Sequence, residues 1–387
     1  MTLNPEIIGT FTEPGYYDEL ARLRRDEPVR EYAPNSWTIA RYADVRAISR
    51  DPLQFSSTRG VLLNDPMRYG KKISGSVLHM DPPEHAPWRS LVSRRFTPRA
   101  VTGLEDRIRT VARSVLAEVQ PGAEIDFVDA VAAPFPVLVI AELLGIESGD
   151  REQFRRWSDA AIESPDRPGE GMAELAALFH YLQAHVEARR GEPTDDIASN
   201  VVHAQIEGEP ITTNEAVGYL LALLVAGNET TRHLVSGSTY ALAEHPDQRD
   251  LLRREPGRIA GAVEECLRWV TPIQAFGRTA TSATELQGQA IAEGDFVVML
   301  YASANRDEDV FGPSAGAFDV TRPLDAQHLA FGFGEHLCLG AALARLEGRV
   351  FLEELLARFP DYEVTAEPEL SRSTLVRGAT RMPVVCR

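Results

Sequence analysis

Phe331-Gly332-Phe333-Gly334-Glu335-His336-Leu337-Cys338-Leu339-Gly340 sets one cysteine in a glycine-rich loop, directly ahead of an alanine- and leucine-rich segment. The residues that follow, Ala341, Ala342, Leu343, Ala344 and Leu346 on to Phe351 and Leu355, predict a helix starting at about Leu339. The unpaired N–H groups and positive end of such a helix favour Cys338 as an anion, the form in which sulfur binds a metal. Gly332, Gly334 and Gly340 permit backbone shapes that a Cβ resists, and let the chain approach a flat ligand closely. Phe331, seven residues before the cysteine, is placed to wall the sulfur off from water.

Around this loop the chain reads as one large body. Its 387 residues allow two or three domains or one large single-core fold, and no Pro/Gly/Ser-rich linker, charge block, internal repeat or low-complexity tract divides them. A hydrophobic content of 44% is ample for a large core. With 57 acidic against 40 basic side chains the net charge is −17, which argues against general binding to nucleic acid or to an anionic membrane. The first residues have no basic segment followed by an apolar one, and no stretch approaches a membrane span. Three cysteines, Cys266, Cys338 and Cys386, are too few and odd in number for a disulfide framework, so the expected compartment is the cytoplasm.

Tyr17–Arg25 and Tyr42–Ser49 read as helices, with short strands at Pro28–Tyr32 and Trp37–Ala40 between them. Ser56–Leu78 is loop-like, and Asp81-Pro82-Pro83 signals a helix start. Helical patterns dominate from Glu84 to about Thr271, with Pro136–Ile146 and Tyr219–Gly227 as buried helix. Val297–Leu300 is the best later strand, Asn305–Phe331 is irregular, and Tyr362–Cys386 reads as short strands. The sum is mostly helix with small sheets at the two ends of the chain.

Three further constellations carry chemistry. Ala226-Gly227-Asn228-Glu229-Thr230-Thr231 interrupts an apolar helix, and burying Glu229 and Thr230 there is costly unless something needs them. A threonine hydroxyl bonded to a carbonyl one turn back opens the helix locally. A helix that simply surfaces at this point is the plain alternative. Glu265-Cys266-Leu267-Arg268 puts an acid and a base at i, i+3 on a helix from about Ile259. Such a pair is usually a weak surface contact, but apolar Val263, Leu267 and Trp269 argue for burial. His85 and Arg89 share a helix face, Arg278 follows the turn after the second helix, and His336 sits two residues before the cysteine.

The cysteine loop resembles that of the cytochromes P450, whose pattern F-x-x-G-x-x-x-C-x-G it meets at Phe331, Gly334, Cys338 and Gly340. The resemblance covers nearly the whole chain. It implies the triangular, mainly α-helical fold of that family, with small sheets and one domain over residues 1–387. Haem b would lie between an oxygen-activating helix and the cysteine-loop helix. Cys338 is then the axial thiolate, which favours O–O cleavage, with Phe331 and Gly340 at the cofactor. His85, Arg89, Arg278 and His336 match the propionate ligands, Arg giving forked bonds to carboxylates. Each alone also fits a surface salt bridge. Glu229 and Thr230 match the acid–alcohol pair that delivers protons to dioxygen. Glu265 and Arg268 match a structural pair completed by Arg322, in which losing one partner strands a charge.

By the same resemblance the activity is that of a monooxygenase, hydroxylating or epoxidising an apolar substrate such as a steroid, lipid, terpenoid or other natural product. The pocket wall is expected to include Ala222, Val225, Ala226, Ile273, Gln274, Ala275, Phe276, Leu375 and Val376. Its roof would come from Ser56–Leu78 and from Arg151–Arg189. Gln274 is the wall residue suited to hydrogen-bond an oxygenated ring, and ordinary core packing is the plain reading of the rest. No flavin or nicotinamide fingerprint and no iron–sulfur cysteine cluster is present. Electrons are therefore expected from NAD(P)H through a ferredoxin and its reductase. Arg94, Arg95, Arg99, Arg345 and Arg349 are a candidate basic patch for an acidic ferredoxin, or a merely solvated face. A monomer is expected. Two alternatives stay open: a peroxide-driven peroxygenase and a non-catalytic haem sensor or carrier.

Overall fold

A 32-residue helix, Thr213–Glu244, is the axle of the molecule. Its start is written in the sequence: the Thr212 hydroxyl accepts the Glu215 N–H (3.2 Å), and the Glu215 carboxylate accepts the Thr212 N–H (2.9 Å). At 1.5 Å per residue it runs roughly 48 Å, long enough to cross the whole body. The computed structural model describes residues 3–70, 76–150, 153–154, 156–158, 171–323 and 326–387.

In chain order the helices that frame the site and its core are α1 (Tyr16–Asp26), α2 (Tyr42–Arg50), α3 (His85–Ser93), α4 (Glu105–Ala117), α5 (Pro134–Leu144), α6 (Met172–Gly191), α7 (Thr213–Glu244), α8 (Ile259–Val270) and α9 (Ala341–Arg358). Helix α7 packs against α5, α6, α8 and α9, and α9 also packs on α4 and α8. Their apolar faces merge into one core that runs from Met80 to Cys386. At the centre of the α9 face, Phe351 is 1% exposed and meets Phe135 and Phe127 with ring centroids 5.3 and 6.3 Å apart. Outside the core, a ring of ion pairs (Arg109 with Glu105, Glu353 and Glu354; Arg349 with Glu105 and Glu353) ties α4 to α9. Among the described residues no helix is long and apolar enough to cross a membrane.

The strands form small sheets. In the largest, β1 (Val29–Ala33) and β2 (Ser36–Ile39) make a hairpin. The sheet continues through Phe296–Leu300, parallel to β2 with Phe296 opposite Ser36 and Met299 opposite Ile39. Ala275–Ala280 and Phe55–Ser56 complete it, antiparallel. The chain's last strand, Pro383–Cys386, lies between Tyr362–Val364 and Glu124–Asp126. Thr271 makes the corner from α8 into the first sheet: its φ is 45°, a left-handed value unusual for a β-branched residue. Its hydroxyl donates to Arg268 O (2.7 Å) and accepts from Asn305 Nδ2 (2.9 Å), which holds the corner.

The expected mostly helical fold with peripheral sheets is what the chain adopts, with local differences. Arg278 follows the Thr271 corner as expected, within a strand, and the cysteine-loop helix starts at Ala341 rather than Leu339. A hairpin, Gln205–Ile206 with Glu209–Pro210, breaks the stretch read as helical. Its two turn residues, Glu207 and Gly208, have φ of 53° and 89°.

Phe351→Ala is expected to cost about 3–5 kcal/mol, because three rings pack on one another and none can collapse into the space. Urea unfolding of wild type and variant checks this, and an unchanged midpoint would contradict the packing described.

Candidate active site

Four hydrogen bonds shape the cysteine loop: Leu329 N–H to Asn305 Oδ1 (2.6 Å), Gly332 N–H to Leu329 O (2.9 Å), Leu337 N–H to Gly334 O (3.0 Å) and Cys338 N–H to Phe331 O (2.9 Å). Gly334 has φ 73°, and a Cβ there would stand 2.0 Å from the Ser49 carbonyl oxygen, so only glycine lets the loop press against the end of α2. Phe333 lies under two guanidiniums, Arg46 at 4.3 Å and Arg50 at 4.6 Å from its ring. Phe331, buried, lies under Arg345 at 4.7 Å. Arg345 is fixed in turn by a forked pair with Glu264 (2.7 and 3.0 Å), to which His328 Nε2 adds a contact at 3.2 Å. Burial raises the Glu264 carboxyl, but the bonds from His328 and Arg345 win and bring it down to about 2.

Cys338 is accessible to solvent although protein surrounds it, so its sulfur faces an internal space. Burial pushes the thiol up. The Gly340 N–H and the charges of Arg89 and Arg345 oppose this without overcoming it. The Gly340 N–H at the helix end favours the anion, as read from the sequence, and burial works against it. Desolvation outweighs the helix amides, and the thiolate needs a bound cation. Among the described residues no group of three or more His, Cys, Asp or Glu side chains is placed to hold a metal ion. A metal at Cys338 must bring its other ligands with it.

Beside the loop, four basic side chains converge. The His85 and His336 rings are 4.6 Å apart, and His336 Nε2 is 3.1 Å from the Ser57 hydroxyl. Arg89 Nη2 donates to Leu337 O (2.5 Å). Arg278 is 5% exposed and bonds the Gly277 carbonyl (2.7 Å), but among the described residues no carboxylate lies within ion-pair distance of it. Burial, then the charges of Arg278, His85 and Arg89, push His336 down to about 3. Burial and Arg89 also lower His85, whose Nδ1 has no hydrogen-bond partner among the described residues. Both imidazoles are neutral near pH 7, and the guanidiniums carry the charge. A buried guanidinium without a counter-charge costs several kcal/mol, so this cluster calls for an anion.

Helix α7 presents a stripe that its neighbours do not cover. Ala222 and Ala226 are exposed and Val225, Glu229 and Thr230 half-buried, while Leu220 and Leu224 between them are fully buried. Thr230 Oγ1 donates to Ala226 O (2.8 Å), one turn back. Burial raises Glu229, yet His233 and Arg232 pull it below the usual carboxylate range, so it is anionic. Next to it, the Thr231 hydroxyl reaches Glu347 of α9 (3.3 Å), which burial pushes up to about 8. Reading motifs missed this neutral acid. The signal was present, because Glu347 occupies an apolar helix face with Leu343, Leu346 and Val350.

Glu265, Arg268 and Arg322 come together as expected. Arg268 is fully buried and forks onto Glu265 (2.6 and 2.7 Å), and Arg322 Nε approaches the same carboxylate at 3.3 Å. Arg268 also donates to the carbonyls of Asn305, Ala315 and Ala317, stitching α8 to the segment ahead of the loop.

The pocket and patch expectations need correction. Ile273, Phe276 and Leu375 keep accessible surface, but Gln274 has none. Its amide is engaged by the Tyr16 hydroxyl (3.0 Å) and by Thr271 O, so it cannot meet a substrate. Ala275 and Val376 are likewise buried. Of the roof, residues 71–75, 151–152, 155 and 159–170 lie outside the described residues. In the arginine patch, Arg95 pairs with Asp195, Arg345 with Glu264 and Arg349 with Glu105 and Glu353, which leaves Arg94 and Arg99 exposed.

A family model described as cytochrome P450 matches residues 165–377. The erythromycin C-12 hydroxylase of Saccharopolyspora erythraea is 40% identical over 398 aligned positions, covering 100% of this chain and 98% of that one. The chain belongs to the cytochrome P450 family. Linalool 8-monooxygenase of Pseudomonas putida is 36% identical, covering 99% of this chain and 97% of its own. Steroid C26-monooxygenase of Mycobacterium tuberculosis is also 36% identical, with 94% of this chain and 98% of its own covered. A solved structure of a P450 EryK mutant with erythromycin B superposes with a TM-score of 0.87 at 38% identity, covering 98% of each chain. The protein is thus a P450 monooxygenase: it puts one oxygen atom of O2 into an apolar organic substrate, with electrons from a redox partner.

The residues fit the cofactor of the family. Haem carries two carboxylates, which match the unbalanced Arg278 beside Arg89, and an iron with its own four nitrogens, which matches a lone cysteine facing an internal space.

Glu347 makes stability depend on pH. Its carboxyl, raised to about 8 in the fold, keeps a proton that the unfolded chain releases at the usual carboxylate values. The contribution is complete below that range and is lost as pH rises through about 8. Glu347→Gln keeps an acceptor for Thr231 and cannot ionise. Wild type should lose stability relative to this variant by about 1.4 kcal/mol per pH unit across that window. A difference constant with pH would contradict the assignment.

Proposed function

We propose that Cys338 holds the iron of haem b as its thiolate, that Arg278, Arg89, His85 and His336 hold the propionates, and that Glu229 and Thr230 deliver protons. The observation that carries this reading is Arg278, a buried guanidinium with no carboxylate within ion-pair distance among the described residues, next to the loop in which Cys338 faces an internal space. When bound, the haem–thiolate supplies the activation of O2 and the oxidising chemistry.

The chain's own work is binding, orientation and proton control. Arg278 and Arg89 fix the cofactor by charge-assisted bonds, with the neutral imidazoles of His85 and His336 as weaker donors. Phe331, clamped by Arg345, keeps water from the sulfur. Phe331 and Gly340 lie at the loop's two ends. Glu229 is anionic at rest and half-open to the apolar stripe, so it can take a proton and carry it to the Thr230 hydroxyl one residue on. A peroxide-driven reaction needs no such delivery and leaves this pair without work.

The wall offered to the substrate by Ala222, Val225, Ala226, Ile273, Phe276 and Leu375 carries no polar side chain, which selects an apolar molecule. Relatives named for a macrolide, a terpenoid alcohol and a steroid support a hydrophobic natural product of that kind. The electron donor is a ferredoxin with its NAD(P)H-dependent reductase, because this chain has no electron-carrying motif of its own. Arg94 and Arg99 are exposed and have no ion pair among the described residues, which leaves them available for docking it.

Two measurements test the reading. Titrating the ferric haem-loaded protein with erythromycin, linalool and testosterone should give a saturable low-to-high-spin shift with one class. No shift with any of them would remove this substrate assignment. Thr230→Ala should bind haem and that compound normally, yet divert most of the electrons to peroxide. Full coupling in this variant would make Thr230 a packing residue only.

A further inference from the structure

The uncovered stripe of α7 does not end at Glu229. One turn on, at i+3 and i+4, Arg232 and His233 face the same carboxylate: Glu229 Oε1 is 3.6 Å from Arg232 Nη2 and 3.8 Å from His233 Nε2. Neither distance is a hydrogen bond. His233 has no accessible surface, and neither ring nitrogen has a hydrogen-bond partner among the described residues. Nothing in ordinary core packing asks for an imidazole there, and each buried, unsatisfied ring nitrogen costs about 1–3 kcal/mol.

The ring is nevertheless held tightly. Gly378, between the strands Glu369–Leu370 and Ala379–Arg381, lies so close that a Cβ at that position would stand 2.0 Å from His233 Nδ1. Gly378 is itself fixed by its carbonyl, which accepts the Ser371 N–H at 2.9 Å. The hairpin therefore fixes the imidazole and aims Nε2 at the Glu229 carboxylate. Burial and the charge of Arg232 keep the ring below its ordinary pKa against the pull of Glu229, so it is neutral. At 3.8 Å the neutral imidazole stands one side-chain rotation from bonding the carboxylate, without locking it as a close guanidinium pair would.

We propose that His233, fixed by Gly378, is a positioning residue that holds Glu229 in the arrangement from which it turns to serve Thr230. This rests on the reading of Glu229 and Thr230 as the proton-delivery pair. In its resting position Glu229 stands off both Arg232 and His233 by more than a hydrogen bond. A small rotation about its own side chain then either closes the His233 contact or releases the carboxylate toward the apolar stripe. Without the imidazole, Arg232 is the remaining partner, and it draws Glu229 into a full ion pair away from Thr230.

The test uses the haem-loaded protein in its diamagnetic ferrous–carbonyl form with nitrogen-15-labelled histidine. Glu229→Gln should move the His233 Nε2 resonance and leave those of His85 and His336 in place. An unmoved His233 signal overturns the proposal. In turnover with the compound that gives the spin-state shift, His233→Phe should keep substrate affinity and the carbonyl spectrum but lose roughly tenfold in product formed per electron, and His233→Asn, which restores a donor, should recover much of that loss. If His233→Phe stays fully coupled while Glu229→Gln does not, His233 has no positioning role. If Glu229→Gln itself stays coupled, the proton-delivery reading fails and this inference with it.

Discussion

The site depends on a buried guanidinium and a protein-enclosed thiol that no ion pair among the described residues relieves. Arg278 lies in the core with no carboxylate within ion-pair distance among the described residues, and burial raises the Cys338 thiol despite the Gly340 N–H and two arginines. Each is unfavourable alone, and one object that carries two carboxylates and a metal cation would relieve both. Everything around them is built to resist collapse: the Glu265–Arg268–Arg322 knot, the clamp of Glu264, His328 and Arg345 on Phe331, and the seating of Gly334 on α2. Where the chain must carry a charge for its own stability, as at Arg268, it supplies the partner and several carbonyls besides.

Helix α7 solves a related problem. It has to pass through the core and yet present polar chemistry at one turn. Its fully buried positions pack on neighbouring helices, while the Ala222–Ala226–Thr230 stripe is left open. The cost of the polar residues is spread locally: Thr230 bonds its own helix, Thr231 reaches a neutral Glu347, and Glu229 is offset by Arg232 and His233. The final hairpin, far along the chain, reaches this turn through Gly378. Proton control thus involves an element with no chemical group of its own.

Most of the fold and the heart of the site were legible because they are local patterns. A cysteine among glycines ahead of an apolar helix, an acid and a base one turn apart, and a polar break in a buried helix can all be read within ten residues. What was not legible depends on partners far away in sequence. Gln274 looked like a free amide beside the pocket, but Tyr16 of the first helix engages it. Arg95, Arg345 and Arg349 looked like a basic surface, but carboxylates from other helices pair with them. His233 carries no signal within its own segment, and only the approach of Gly378 and the distance to Glu229 give it a place beside that carboxylate. At Cys338 the helix end is visible in sequence, and the burial that opposes it is not.

The central claim is that Cys338 is the thiolate ligand of a haem held by this cluster. The most direct measurement is the ferrous–carbonyl absorption spectrum of the haem-loaded protein beside that of Cys338→Ser. The account predicts a Soret band at the long-wavelength position characteristic of thiolate ligation in the wild type, and its loss in the variant. The same band in both proteins would contradict it.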